Sequence, residues 1–386
     1  MLLPLPFVAI STLWTVMGAV AVARATRSIS IPIERDRLEP VTVLKPLCGA
    51  DPSLRENLES FFEQDHPRFE LLFGVESEDD PAIVIVRELM GAHPEVTAKL
   101  VVHRGNKGHN PKVRNLLGMA GHASHDLVLV SDSNVRAPEH YLSEICAVRA
   151  SDPEVGLVTN LFAGDGPGTV GASLECVQLT GFIAAGISLP TMVGDAIVVG
   201  KSMLFSMREL NRLGGFRRVA DVLAEDYVIT KMFEEAGKRV AIAPTVLTNV
   251  IGPIGLRTFF ERHLRWSMMR MRLRPAYFAF EPLTSPLAVL PLAWLALGHA
   301  WAALWLAAML LIRDVGGWLL LRGRSRLHVP LLSSLLRDVV MLAVWAATPF
   351  KRHVTWRGNR VRVCAGTALV AESSVATAPE SFVPET

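Results

Sequence analysis

The sequence predicts an α/β domain carried on apolar, membrane-type helices, and three observations predict it. Short β-branched runs alternate with amphipathic helical patterns through the middle of the chain. An uncharged run opens the chain. The last third returns to long uncharged runs. With 386 residues, 50% apolar and 20% charged, the chain is large enough for one or two domains with sizeable cores.

Leu2 to Ala23 carries no charge and matches the roughly 20 residues needed to cross a bilayer. Arg24, Arg27, Arg35 and Arg37 follow it, a positive flank that reads as cytoplasmic with the N-terminus on the other side. A cleaved signal peptide is the rival reading. The basic residues follow the apolar run, and no small-x-small cleavage site is seen, so residues 1–24 are read as an anchor.

Strands are expected at "VTVLKPL" from Val41, "FELLFGV" from Phe69, "AKLVVH" from Ala98, "DLVLVSD" from Asp126 and "VGLVTNL" from Val155. Amphipathic pieces such as "LRENLESFFEQ" from Leu54 and "PAIVIVRELMG" from Pro81 lie between them. Sheets of this kind bind ligands beyond the carboxyl ends of their strands. Gly171 to Gly194 is uncharged except for Glu175, and reads as an interfacial or cleft-lining segment, or as a buried core helix. "AIVVGKSMLFSM" and "RVAIAP" read as two more strands, and Asp221 to Gly237 as a helix.

From Leu283 to Ile312 the chain is again uncharged, and Arg313 and Asp314 interrupt it before "VGGWLLL". Val329 to Phe350 carries Arg337 and Asp338 in its middle. Two or three spans fit residues 283–350. The basic loops Arg322–His328 and Lys351–Arg362 cannot both be cytoplasmic across a full span, so one segment is expected to re-enter or to lie along the surface. Residues 351–386 hold a basic motif and a small, polar tail, expected to be disordered after Ala365.

The net charge of +2 implies no polyanion partner, so no nucleic acid is expected. Cys48, Cys146, Cys176 and Cys364 are widely spaced and fit reduced thiols, neither a disulfide frame nor a zinc site.

Three acidic clusters fall where a sheet places a site: "ESEDDP" from Glu76, "SDSN" from Ser131 and "AEDY" from Ala224. A carboxylate at a strand end can accept from a ribose or base, and can help hold a divalent cation on a diphosphate. Each cluster alone is an ordinary turn. In "HNPKVRN", from His109, Lys112 and Arg114 are placed to face phosphate, or else begin a solvated helix. "FFERHLRWSMMRMRLRP", Phe259 to Pro275, packs five arginines around one tryptophan. Alone it reads as a basic juxtamembrane helix.

Together these motifs resemble the ceramide glucosyltransferases, membrane-bound nucleotide-sugar transferases of the GT-A type. The resemblance runs from about Val41 to Ala365, through "LKPLCGADPSLRENLESFFEQDHPRFELLFGV", "DDPAI", "NPKVRNLL", "SDSNVR", "VGLVTNL", "VVGKSMLF", "GGF", "LAEDYVITK", "RHLRW", "FEPLTSP" and "VTWRGNRVRV", in the family's order. It implies a GT-A (nucleotide-diphospho-sugar transferase) Rossmann-like domain over residues 38–280, facing the cytoplasm, with N-terminal and C-terminal transmembrane helices.

The resemblance also implies roles. Asp80 would hold the uridine end of a UDP-sugar, Asp132 the ribose and the metal-bound diphosphate, and Lys112 the phosphate side. Asp226 would be the general base. Arg262, Arg265 and Trp266 match the (Gln/Arg)-x-x-Arg-Trp motif beside the leaving group and acceptor, while Arg270, Arg272 and Arg274 are expected against anionic headgroups. Asn134 stands where many GT-A enzymes have the second carboxylate of an Asp-x-Asp pair, so a Mg2+ or Mn2+ ion on Asp132 and Asn134 would have one neutral ligand.

The implied reaction is inverting transfer of a sugar, glucose first, to a lipid hydroxyl, ceramide first, at a bacterial inner membrane or, alternatively, a cytosol-facing endoplasmic reticulum or Golgi membrane. A hopanoid polyol (with N-acetylglucosamine as the sugar) or diacylglycerol would use the same machinery. Too few spans follow for a processive polysaccharide synthase, and an inactive membrane scaffold is disfavoured while Asp80, Asp132, Asp226, Arg265 and Trp266 are all present.

Overall fold

The computed structural model describes residues 3–27, 34–51, 53–104, 108–356 and 359–371. Helix α1 (Leu5–Ala25) leads into an eight-stranded sheet. In chain order come β1 (Val41–Pro46), α2 (Leu54–Phe62), β2 (Phe69–Val75), α3 (Ala82–Ala92), β3 (Thr97–Val102), α4 (Pro111–Ala120) and β4 (Leu127–Val130). Next are β5 (Val135–Arg136), α5 (Tyr141–Ala150), β6 (Val155–Asp165), α6 (Val170–Met192), β7 (Met203–Ser206), α7 (Met207–Arg212), α8 (Glu225–Glu235) and β8 (Arg239–Val250).

The strand order is β3-β2-β1-β4-β7-β6-β8-β5. The first four strands are parallel, β7 runs against both its neighbours, and β6 pairs β8 in parallel. Helices on both faces leave β1 and β4 buried throughout, which is why these strands read as unbroken apolar runs. Helix α4 starts where Asn110 caps it, its side chain accepting from the Val113 amide at 3.1 Å with Pro111 in the first turn. Asn115 on the same helix donates to the carbonyls of Leu47 and Gly74. A Cβ on Gly74 would meet the Asn115 amide oxygen at 2.1 Å, so only glycine lets α4 lie this close to β2.

Three expectations are corrected. In "AIVVGKSMLFSM" only Met203–Ser206 is a strand, and Ala196 to Gly200 is an irregular stretch whose Gly200 amide is held by Asp226 instead of by a neighbouring strand. The helix expected from Asp221 starts at Glu225, because the backbone just before it pairs elsewhere: the Leu223 amide donates to Thr367 and Asp221 accepts from the Leu369 amide. The chain after Ala365 does not become disordered at once. Leu369–Ala371 is a strand, β11, which completes a small antiparallel sheet with β9 (His353–Trp356) and β10 (Asn359–Val363).

The remaining helices are α9 (Leu256–Leu273), α10 (Pro275–Phe280), α11 (Pro286–Leu297), α12 (His299–Arg322) and α13 (His328–Ala347). Helices α1, α6, α12 and α13 (extended to Phe350 by a short turn) are long and apolar enough to cross a membrane, and α11 joins them only as part of a pair bent by 59°. Of these, α6 is mostly buried inside the protein, which realises the core-helix reading of its apolar sequence.

Helices α6 and α12 each carry a π-turn, Leu179–Ile183 and Leu311–Val315, and the two turns face each other. A Cβ on Gly181 would sit 2.5 Å from an Asp314 carboxylate oxygen, and one on Gly317 would sit 2.5 Å from the Thr180 carbonyl. The close approach closes a buried quartet. Arg313 pairs with Asp314 and Asp338, and Arg337 pairs with Asp314 and reaches Gln178 at 2.9 Å. Two positive and two negative charges sealed against one another are how apolar helices accommodate ionised side chains.

Candidate active site

The site forms where β1 and β4 end. Asp132, just past β4, accepts from the ammonium groups of Lys112 and Lys201, each at 2.9 Å. Burial alone would raise its pKa, but the two ammonium groups hold it well below the usual carboxylate range. Lys112 spans the cleft: it also meets Glu225 at 3.1 Å and donates to the Gly200 carbonyl at 3.2 Å. Burial opposes its charge, yet Asp132, Glu225 and Asp226 raise its pKa above that of a free lysine.

Lys45, fully buried in β1, donates to the Asp132 carbonyl at 2.8 Å and stands over the Phe61 ring at 3.5 Å. Burial lowers its pKa well below the ordinary lysine value.

Asp226 opens α8 across from this cluster. Its carboxylate accepts from the Gly200 amide at 2.8 Å and from its own helix at the Tyr227 amide, 2.7 Å away. Burial, with the neighbouring Glu225 charge, pushes its pKa up to about 7, and Lys112 and the two amides only partly offset this. A carboxyl poised near neutrality in a cleft is suited to take a proton. Gly200 serves both partners, its amide on the Asp226 carboxylate and its carbonyl on Lys112. A Cβ there would sit 2.3 Å from the Lys112 nitrogen.

Asp80 lies beyond β2, where both carboxylate oxygens accept from the Gly49 amide at 3.1 and 3.0 Å and one also accepts from Ala82 at the start of α3. Arg262 and Trp266 sit on α9. Glu175 of α6, fully buried, holds His263 at 2.9 Å and Arg262 at 3.4 Å, and the His263 ring meets Trp266 edge-on. Arg265 shares that helix.

Of the arginines expected against headgroups, Arg270 instead forks onto Glu281, and Arg274 pairs with Asp195 and donates to the Tyr227 hydroxyl at 3.0 Å. Both are half-buried, with carboxylates and a phenol facing them. The Arg274 contact ties the end of α9 to the residue after Asp226.

Among the described residues no three His, Cys, Asp or Glu side chains converge as a metal cage. The Asp132 carboxylate and the Asn134 amide oxygen do converge on one cation, the Lys201 ammonium, at 2.9 and 2.8 Å. Two hard oxygens aimed at one point fit Mg2+ or Mn2+, which Asp132 and Asn134 would hold beside the diphosphate.

The sequence model of glycosyl transferase family 21 matches residues 5–369. The chain belongs to that family. Among curated proteins, ceramide glucosyltransferase 1 of Caenorhabditis elegans is 31% identical over 253 residues, 65% of this chain and 54% of that protein. Ceramide glucosyltransferase 3 of the same organism is 30% identical over 252 residues, with the same coverage. The chain thus spans about half the length of the curated relatives it matches.

Among solved structures, a mannosyltransferase from Pyrobaculum calidifontis, in complex with GDP-Man and Mn2+, superposes with a TM-score of 0.50 at 20% identity, covering 89% of this chain and 99% of that one. The fold of this family 21 member is therefore GT-A.

Of the residues expected from the sequence, the structure joins Lys112, Asp132 and Asn134 in one bonded cluster and brings Asp226 to it through Gly200. Asp80 stands on a neighbouring strand end, and Arg262 and Trp266 stand on α9, outside the bonded cluster. Lys45, Lys201, Glu225, Glu175 and His263 were not singled out. For Lys45, Lys201 and Glu175 the available signal is isolation: a single lysine in "VTVLKPL" and another in "VVGKSMLF", and the one charge in the apolar stretch after Gly171, whereas Glu225 and His263 lie inside the motifs "AEDY" and "RHLRW".

Proposed function

We propose that this chain transfers a hexose from a UDP-sugar to a lipid hydroxyl, with inversion at the anomeric carbon. UDP-glucose is the donor and a ceramide-like sphingoid lipid the acceptor, and the reaction takes place on the cytoplasmic face of a membrane that the apolar helices enter. A bacterial inner membrane fits this arrangement. The observation that carries the reading is the pairing of Asp226, poised near neutrality, with a fixed lysine cluster across one cleft.

In this reading Asp80 and the Gly49 loop receive the uridine end. Asp132 receives the ribose, and Lys112 and Lys201 turn their ammonium groups to the diphosphate. The acceptor oxygen attacks the anomeric carbon while Asp226 removes its proton, and the bond from that carbon to the diphosphate oxygen breaks with its electron pair leaving on UDP. Lys112, Lys201 and the guanidinium groups of Arg262 and Arg265 meet that negative charge in a partly dry site, where fixed cations stabilise a transition state most. Bound on Asp132 and Asn134, Mg2+ or Mn2+ would supply further positive charge to the diphosphate. One base and one displacement turn an α-linked donor into a β-glycoside.

The test incubates membranes bearing the protein with radiolabelled UDP-glucose or UDP-N-acetylglucosamine and a panel of ceramide, diacylglycerol and a hopanoid polyol, beside Asp226→Asn membranes. Label on ceramide that disappears with the variant is the expected result. Label on another lipid would replace the acceptor, and an α-linked product by NMR would overturn the single-displacement mechanism.

A further inference from the structure

Helix α13 is 20 residues long, about 30 Å at 1.5 Å per residue and so as long as a bilayer's hydrocarbon is thick. Yet both of its ends are tied to the same water-facing domain. Before it, Arg322 binds the Gly164 carbonyl and pairs with Asp165 at 2.8 Å, and Arg326 donates to the Gly166 carbonyl at 2.7 Å, all at the end of sheet strand β6. After it, the chain enters the small sheet. There Val363 packs against Leu223 and Met268, and the Leu369 amide donates to Asp221 just ahead of α8. A helix that crossed a bilayer would put these two anchorages on opposite sides of the membrane, and one folded sheet domain cannot stand on both.

The helix is two-faced in a way that suits lying flat. Its inner face, with Ser334, Arg337, Asp338 and Val344, is buried against the domain. Its outer face exposes Leu331, Leu332, Leu335, Leu336 and Val339, each between 43% and 78%. Exposed Arg324 and Arg326 flank one end, and exposed Lys351 and Arg352 the other, so both ends suit anionic headgroups of a single leaflet.

Helices α11 and α12 complete the pattern. Twelve-residue α11 and the twelve residues His299–Leu310 of α12 are each about 18 Å long, and they meet at Gly298, whose φ of 80° makes the turn. The base of this hairpin is fixed to α13: the Ser285 hydroxyl reaches Asp338 at 3.4 Å on one side, and Arg313 pairs with Asp338 on the other. Its tip is apolar and exposed, at Trp294, Leu295 and Trp301. A projection of about 18 Å from that base is little more than half of a bilayer's roughly 30 Å of hydrocarbon, and the N-terminal half of α1 accompanies it, Val8 packing with Val289, Ala293 and Ala302.

We infer that none of the C-terminal helices crosses the membrane: α11 and α12 form a re-entrant hairpin, and α13 lies in the plane of the leaflet that faces the catalytic domain. The partner of this surface is the acyl region of that one leaflet, edged by its anionic headgroups. The small sheet of β9, β10 and β11 stays on the side of the active site. This inference rests on the membrane placement in the proposed function.

The test uses thiol labelling in sealed vesicles of either orientation, in a Cys48→Ser, Cys364→Ser background. Single variants Arg324→Cys and Lys351→Cys flank α13, Leu295→Cys marks the hairpin tip, and Arg208→Cys reports the side of the domain. A membrane-impermeant maleimide is expected to label positions 324, 351 and 208 in the same vesicle population, and position 295 in neither until detergent is added.

Labelling of 324 or 351 only in the opposite population, or of 295 from the far face, overturns the inference while leaving sugar transfer intact. Release of the protein into a carbonate wash would instead overturn both the inference and the membrane part of the proposed function.

Discussion

If Asp226 is the base of the proposed reaction, replacing it by Asn separates that role from what the carboxylate does to stability. Its pKa moves from an ordinary 3.8 to about 7, chiefly through burial. In the folded protein it therefore holds a proton that the unfolded chain has already lost between those two pH values. Folding stability falls as pH rises through that window and levels off above about pH 7. At about 1.36 kcal/mol per pH unit the full penalty is about 4 kcal/mol, of which about 2 kcal/mol accrues between pH 5.5 and 8.

Asn carries no such proton. It keeps one oxygen for the Gly200 or Tyr227 amide and loses the second acceptor, at a cost of roughly 1 kcal/mol that does not vary with pH. The stability of the wild type relative to Asp226→Asn should therefore drop by about 2 kcal/mol from pH 5.5 to pH 8, read from unfolding in detergent at both values. Activity should move the other way. In the wild type kcat/KM should rise with pH through about 7 as the base ionises, and in the variant it should fall by roughly 100- to 10,000-fold. Parallel stability profiles for the two proteins would show that Asp226 does not titrate near neutrality, and the general-base assignment would lose its footing.

Other substitutions probe the surroundings of that base. Lys201→Met removes a charged partner of Asp132 and Asn134, and calorimetry should show UDP binding weakened about 10- to 100-fold, the range of one charge-assisted hydrogen bond. Glu175→Gln leaves the α6–α9 contact in place without its charge. Donor KM should stay near wild type while kcat falls, because Arg262 and His263 lose their orienting anion. Asp314→Asn breaks the buried quartet and should destabilise the protein by about 3–5 kcal/mol in detergent unfolding, since two guanidinium groups are left with one carboxylate.

Strands β1, β2 and β4 of the parallel half are legible because they are buried on both faces and write continuous apolar runs. Phe69–Val75 begins and ends where its pattern does. The stretch from Ala196 to Gly200 has the same apolar composition but no strand partner, and composition does not record partners. The early end of the α8 pattern was hidden for a similar reason. Asp221 and Leu223 are spoken for by Leu369 and Thr367, more than 140 positions away.

In the site, each acidic cluster alone reads as an ordinary turn, and only their occurrence together with "HNPKVRN" and "RHLRW" points to Asp80, Asp132 and Asp226. The meeting of Lys112 with Glu225 joins residues that local periodicity never relates. Arg313, Asp314, Arg337 and Asp338 read singly as interruptions of membrane spans, and only their closure into one quartet shows why the helices tolerate them.

The pairing of Asp221 and Leu223 with the chain's last described strand also has a bearing on synthesis. Asp226 follows that pair by a few residues, yet the backbone partners that fix the approach to it arrive only when Thr367 and Leu369 leave the ribosome. A chain stopped short of them would carry the whole eight-stranded sheet and every lysine of the cleft, and would enter α8 through a segment tied at His109 and Asn110 but open at the Asp221 carbonyl and the Leu223 amide. The approach to α8 is thus completed only after synthesis has run more than 140 residues past it.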